Sequence, residues 1–163
     1  MQRGASVFPP VQGRNLEGRV FHLPQDFEGE FNVVIVAFER WHQTLVDTWA
    51  EWLEALMADH ATLRMYELPV ISHRYRLMRP MIDGGMAAGI TERVVRERTL
   101  TVYTDKTHFI HALGLDSHTI TVLLLDRHGR VLWRGHGGYD EGQAGGLERR
   151  LELEEGNGGY DWA

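Results

Sequence analysis

His108 and His111 stand three residues apart in TDKTHFIHALGL, so on a helix they share one face and could chelate a metal ion together. A short helix that turns Phe109, Ile110 and Leu113 inward would equally leave both imidazoles at its solvent edge. The chain holds nine histidines and no cysteine. Thiol–disulfide exchange and thiol peroxidation need a thiolate nucleophile, so this stretch of 163 residues performs neither unaided. His22, His60, His73, His128 and His136 have no evident partner in the sequence. The glycine-rich run GHGGYDEGQAGG, residues 135–146, could offer backbone amides to an anion at a helix start. It lacks the lysine of a phosphate-binding loop, and no GxGxxG follows a first strand. Ser6, Ser72 and Ser117 are the serines, and none lies in a GxSxG elbow. Adjacency of Ser117 to His118 does not place a base within hydrogen-bond reach. The pairs Asp140–Glu141 and Glu154–Glu155 sit in strongly charged stretches and read as solvated. No catalytic residue, resident metal or cofactor is assigned.

Composition bounds the class. Apolar residues make up 43% and charged residues 25%, as in ordinary globular proteins, and the length suits one domain with a sizeable core. The boundaries read as an irregular arm over 1–15, a domain over 16–155 and a mobile tail over 156–163. A net charge of -6 argues against a nucleic-acid partner. Arg74, Arg76 and Arg79 are the local exception, but their spacing makes no single helical stripe. The opening MQRGASVFPPVQG lacks the apolar core of a secretory signal, so a cytoplasmic location is expected. VVIVAF and ITVLLL are strand-length, far short of the roughly 20 residues a membrane span needs.

Strands and helices alternate along the chain. A short extended stretch, Arg19 to Leu23, ends at Pro24. FNVVIVAF, residues 31–38, is apolar on both faces and β-branched, as in a strand buried between two layers. From Thr44 to His60, Leu45, Trp49, Trp52, Leu53, Leu56 and Met57 recur at helical spacing on one face. Thr62 to Leu68 reads as a strand closed by Pro69. His73 to Ala88 is helical, with Pro80 kinking it or starting a new helix. Thr99 to Thr104 is a strand, and Asp105 to Leu113 a short helix capped by Thr104 or Asp105 and ended by Gly114. Residues 120–126 and 130–135, joined by RHG, form a hairpin. Tyr139 to Glu155 closes the chain as a helix, strongest over Leu147 to Leu153.

This order, with the entry FPPVQGRNLEGRVFHLPQDFEGEFNVVIVAF and the hairpin LLLDRHGRVLWRGHG, resembles the thioredoxin-like superfamily over residues 8 to about 153. More narrowly it is similar to the redoxin branch, which includes peroxiredoxins, thiol-disulfide proteins and the ATP synthase assembly factor family. The resemblance implies an α/β three-layer sandwich, a central mixed sheet flanked by helices. It also implies a redox motif of two cysteines where the first core strand meets its helix, and a cis-proline before the hairpin. Here the first position reads FERWHQTLVD and the second LDSHTIT, so Trp41, His42, Gln43 and Thr44 replace the motif while His118 and Thr119 replace the proline.

In that fold His42 and His118 come from loops facing each other, bordered by Glu39, Arg40 and Trp41. The expected role is a redox-inactive, protein-binding or assembly-assisting module whose contact patch is Glu39, Arg40, Trp41, His42, His118 and Thr119. Trp41 would be its exposed anchor, or would tuck under the helix as a hydrophobic staple. The alternative is a metal-binding protein or enzyme that uses His42 and His118. The protein partner is unknown, and apolar strand edges leave a homodimer open.

Overall fold

The computed structural model describes residues 6–159. Its centre is a strand whose residues are all buried, β3 (Phe31–Ala37). Successive side chains of a strand point to opposite faces, so Val33 and Ile35 enter one apolar layer while Val34 and Val36 enter the other. Parallel to β3 lies β4 (Leu63–Ser72), and antiparallel to it lies β6 (Thr121–Asp126), which turns back into β7 (Val131–His136). On the far side β5 (Leu100–Thr104) runs parallel to β4, followed by β1 (Val11–Asn15) and β2 (Val20–Leu23). The mixed sheet has seven strands in the order β2-β1-β5-β4-β3-β6-β7.

Helices cover both faces, giving the three layers the sequence implied. The long helix α1 (Gln43–Asp59) buries Val46, Trp49, Leu53 and Leu56 on one face. Beside it the C-terminal helix packs Ala144, Leu147 and Leu151 into the same layer. Leu45, Trp52 and Met57 are half-buried at its margin. The opposite layer gathers Phe8, Phe21, Phe27 and Tyr66 with Phe109 and Leu113 of a short helix, Lys106–Leu113. That helix is capped as expected, Asp105 accepting from the His108 amide at 3.1 Å and Gly114 ending it in the left-handed region, φ 65°. The hairpin turn is held by Asp126 Oδ1, which accepts from the His128 and Arg130 amides, and by Gly129 at φ 83°.

Three elements differ from the sequence reading. Residues 11–15, assigned above to an irregular arm, form β1 between β2 and β5. Its VQGRN carries little apolar alternation, and pairing on both sides makes it a strand. Secondly, β4 runs through Pro69 to Ser72. Pro69 lies at the end of the ladder with β3, opposite Ala37, and from Val70 the strand pairs with β5 instead, so the missing amide falls where partners change. Thirdly, His73–Met78 is a 3-10 turn where an α-helix was expected, and of the two alternatives at Pro80 the new helix holds: α2 (Arg79–Gly89) begins with Pro80 in its first turn. A further short helix, α3 (Arg93–Arg98), lies before β5. With the Lys106–Leu113 helix as α4, the last helix is α5 (Glu141–Gly159), which continues past Glu155. Of the expected arm and tail, residues 1–5 and 160–163 lie outside the described residues.

Candidate functional site

The place where β3 meets α1 is built by a 3-10 turn, Arg40–His42, that leads directly into the helix. Glu39, Arg40 and Trp41 are exposed there, Trp41 by 56%. His42 turns the other way and is fully buried. Its Nδ1 accepts from the Phe38 amide at 3.0 Å and from the Glu39 amide at 3.2 Å. An imidazole nitrogen that accepts two amides carries no proton, so the ring is neutral with its hydrogen on Nε2. That Nε2 is buried without a well-formed hydrogen bond, and the His118 backbone carbonyl is near enough to favour a proton on the ring. Burial pushes the His42 pKa below the ordinary histidine value, against the opposing pull of that carbonyl and of Glu39.

The two loops therefore do face each other, through backbone and not through two rings. The His118 side chain is itself 93% exposed and hydrogen-bonds Asp116 at 3.0 Å. Its amide and ring hold the Asp116 carboxyl below the usual range. Thr119 is half-buried beside it. His42 is thus an internal brace and not a surface contact, and its accepting nitrogen is already committed. A common ligand pocket for His42 and His118 is not what the fold assembles. The cis peptide bond among the described residues is Leu23–Pro24, at the end of β2.

Trp41 does not tuck under the helix. It stacks edge-on to the His42 ring, centroids 4.6 Å apart, and leaves over half its surface to solvent. The same strand-to-helix junction borders an open groove of roughly 580 Å³, where Phe38 and Glu39 join Val70, Ile71, Ser72, Arg74, Tyr75, Lys106 and Thr107 in the lining. Lys106 closes one side by donating to the Phe38 carbonyl at 3.3 Å. Beyond Tyr75, the segment of residues 73–89 buries none of its side chains and exposes Leu77, Met78 and Met81.

One polar residue beneath this surface escaped the sequence reading. Glu67 of β4 is buried on the same sheet face as Leu63 and Met65, under the first turn of α1. Gln43 donates to it at 3.3 Å and to Asp47 at 2.9 Å. Burial pushes the Glu67 pKa up, opposed by Gln43 and by the charge of Arg98. The signal in the sequence is a carboxylate at an inward strand position within MYELPVI.

Other sequence candidates disperse. His108 and His111 sit exposed on α4, with Phe109 and Leu113 turned inward. Arg79 is drawn inward to Asp83 and Thr101, so it makes no patch with Arg74 and Arg76. The glycine-rich loop is internally occupied: Asp140 accepts the Gln143 amide, and the Gln143 side chain both accepts from the His136 amide and donates to the His136 carbonyl.

No protein-family model matches the sequence, and no curated protein matches it. Solved structures do match, with a thioredoxin-like fold. BsSco, a member of the Sco family of cytochrome c oxidase assembly proteins, aligns with TM-score 0.65 and 12% identity, covering 93% of this chain and 96% of that one. Yeast Sco1 gives 0.60 at 15% identity, with 93% and 96% covered. The thioredoxin domain of a thiol-disulfide oxidoreductase from Bacteroides vulgatus gives 0.55 at 16%, with 91% and 98% covered. The chain thus carries the fold of thiol-disulfide proteins without a cysteine. No helix among the described residues is long and apolar enough to cross a membrane.

Proposed function

We propose that the chain is a redox-inactive thioredoxin-like module that binds a protein partner through the surface at the start of α1. The observation that carries this reading is Trp41. A tryptophan 56% exposed, at the position the redox motif would occupy and in the junction that borders an open groove, offers a large rigid anchor of the kind that dominates protein interfaces. Glu39, Arg40, His118 and Thr119 supply a polar rim around it, and His42 holds the loop from within. BsSco, which shares the fold, belongs to a family of cytochrome c oxidase assembly proteins, and this supports an assembly-assisting role for the module. A cytoplasmic location and a possible second copy as partner belong to the same proposal. A metal or enzyme site on His42 and His118 has no comparable support, because one ring is sealed and the other points into solvent.

Affinity capture from the source lysate with the wild-type chain and with a Trp41→Ala, His118→Ala variant tests it. Both side chains are solvent-facing, so the variant should fold. A partner held by the wild type and lost by the folded variant supports the reading, and identical captures with both forms would sink it.

A further inference from the structure

The far end of α1, about 25 Å from Trp41 for a helix of 17 residues, assembles a different set of donors. His60 caps that end, and its Nδ1 lies 2.9 Å from Glu155 Oε1 of α5. Thr62 donates its hydroxyl to the other Glu155 oxygen at 2.5 Å. An ionised carboxylate only accepts, so Nδ1 is the donor of this pair and Nε2 is the ring nitrogen left to meet a ligand. Carboxylate–histidine pairs of this kind orient metal ligands and raise their basicity. Glu148 and Glu152 stand one turn apart on α5, and one oxygen of each comes within 4.8 Å of the other and of a His60 ring nitrogen.

The charges around this cluster are unbalanced. Arg150 is engaged with Glu154, and among the described residues no cation is paired with Glu148 or Glu152. Carboxylates one helical turn apart repel, whereas a divalent ion between them attracts both. Zinc ligands about 2.1 Å from the ion stand roughly 3.4 Å apart in a tetrahedron, so these groups need side-chain rotation of about an ångström to close on it. A mixed imidazole–carboxylate set suits a borderline divalent ion better than calcium or magnesium, which favour oxygen alone.

We propose that His60, Glu148 and Glu152 bind a divalent cation of the zinc type, with Glu155 positioning the histidine. The ion would tie the end of α1 to α5. This site is independent of the partner surface at the other end of the helix.

Zinc chloride titrated into the untagged full chain by calorimetry should show one equivalent bound. At about a hundredfold excess over Kd the melting temperature should rise by roughly 5 to 10 °C. Glu148→Gln with Glu152→Gln, two changes on the outer side of a helix, should abolish both effects without loss of the fold. Glu155→Gln should weaken zinc about tenfold or more. His108→Ala with His111→Ala should change nothing. Absence of stoichiometric binding, full binding by the Glu148/Glu152 variant, or loss of binding in the His108/His111 variant would each overturn the site.

Discussion

The two ends of α1 each carry a histidine, and the fold uses them in opposite ways. At the start, His42 is sealed, and its Nδ1 spends its lone pair on two backbone amides of the chain that enters the helix. At the finish, His60 keeps about 15% of its side chain exposed, its Nδ1 is paired with the Glu155 carboxylate, and a ring nitrogen lies within 4.8 Å of an oxygen of Glu148 and of Glu152. The same residue type is a structural brace in one place and a presented donor in the other. What separates them is the partner each ring meets: a donor amide makes imidazole an acceptor, and a carboxylate makes it a donor on one side and a potential ligand on the other.

The sharpest way to break this contrast is His42→Ala. It leaves the Phe38 and Glu39 amides without their acceptor and opens a cavity, so chemical denaturation should show a loss of about 3 kcal/mol. The wild type should also lose stability on acidification. The folded His42 pKa is depressed, so the unfolded chain binds the proton more readily, and the contribution present above the ordinary histidine range is lost as pH falls through the folded value. His42→Ala should remove that part of the pH dependence; an unchanged profile would show that another group sets it.

A smaller effect of opposite sign is expected at Glu67. Its raised pKa means that the folded chain binds the proton more tightly, so stability falls as pH rises from the ordinary glutamate range through the folded value. Glu67→Gln keeps an acceptor for Gln43 and removes the buried charge, so it should stabilise the protein at neutral pH by about 1 kcal/mol. Destabilisation by more than that would show that Glu67 is held by an attraction, with Arg98 the evident source.

Least of all should stability respond to Trp41→Ala. A side chain mostly in solvent contributes within about 0.5 kcal/mol, while partner capture through it is lost. A large loss of stability at Trp41 would instead make it part of the brace around His42, with which its ring is in edge contact.

Much of the fold is legible where periodicity is strong. The two-sided apolar run of β3, the single apolar face of α1 and the glycine-bearing hairpin turn each point to one local structure, and each lies where expected. VQGRN does not, because β1 owes its conformation to ladders with β2 and β5 that its own residues do not announce. The candidate surface was half legible: the resemblance set Trp41 and His42 at the junction of β3 and α1, but two adjacent residues in a 3-10 turn point in different directions, one outward and one into the core. The His60–Glu155 pair was not legible at all, since its members are separated by 95 residues and meet only when α5 packs beside α1.

By itself the sequence determined that these 163 residues hold no thiolate of their own, because folding cannot supply a side chain the stretch lacks, and it determined the alternating core through local apolar spacing. Only the tertiary structure decided what each histidine does. A ring's tautomer, burial and basicity depend on which groups from distant segments approach within hydrogen-bond distance, and no spacing along the chain records that approach.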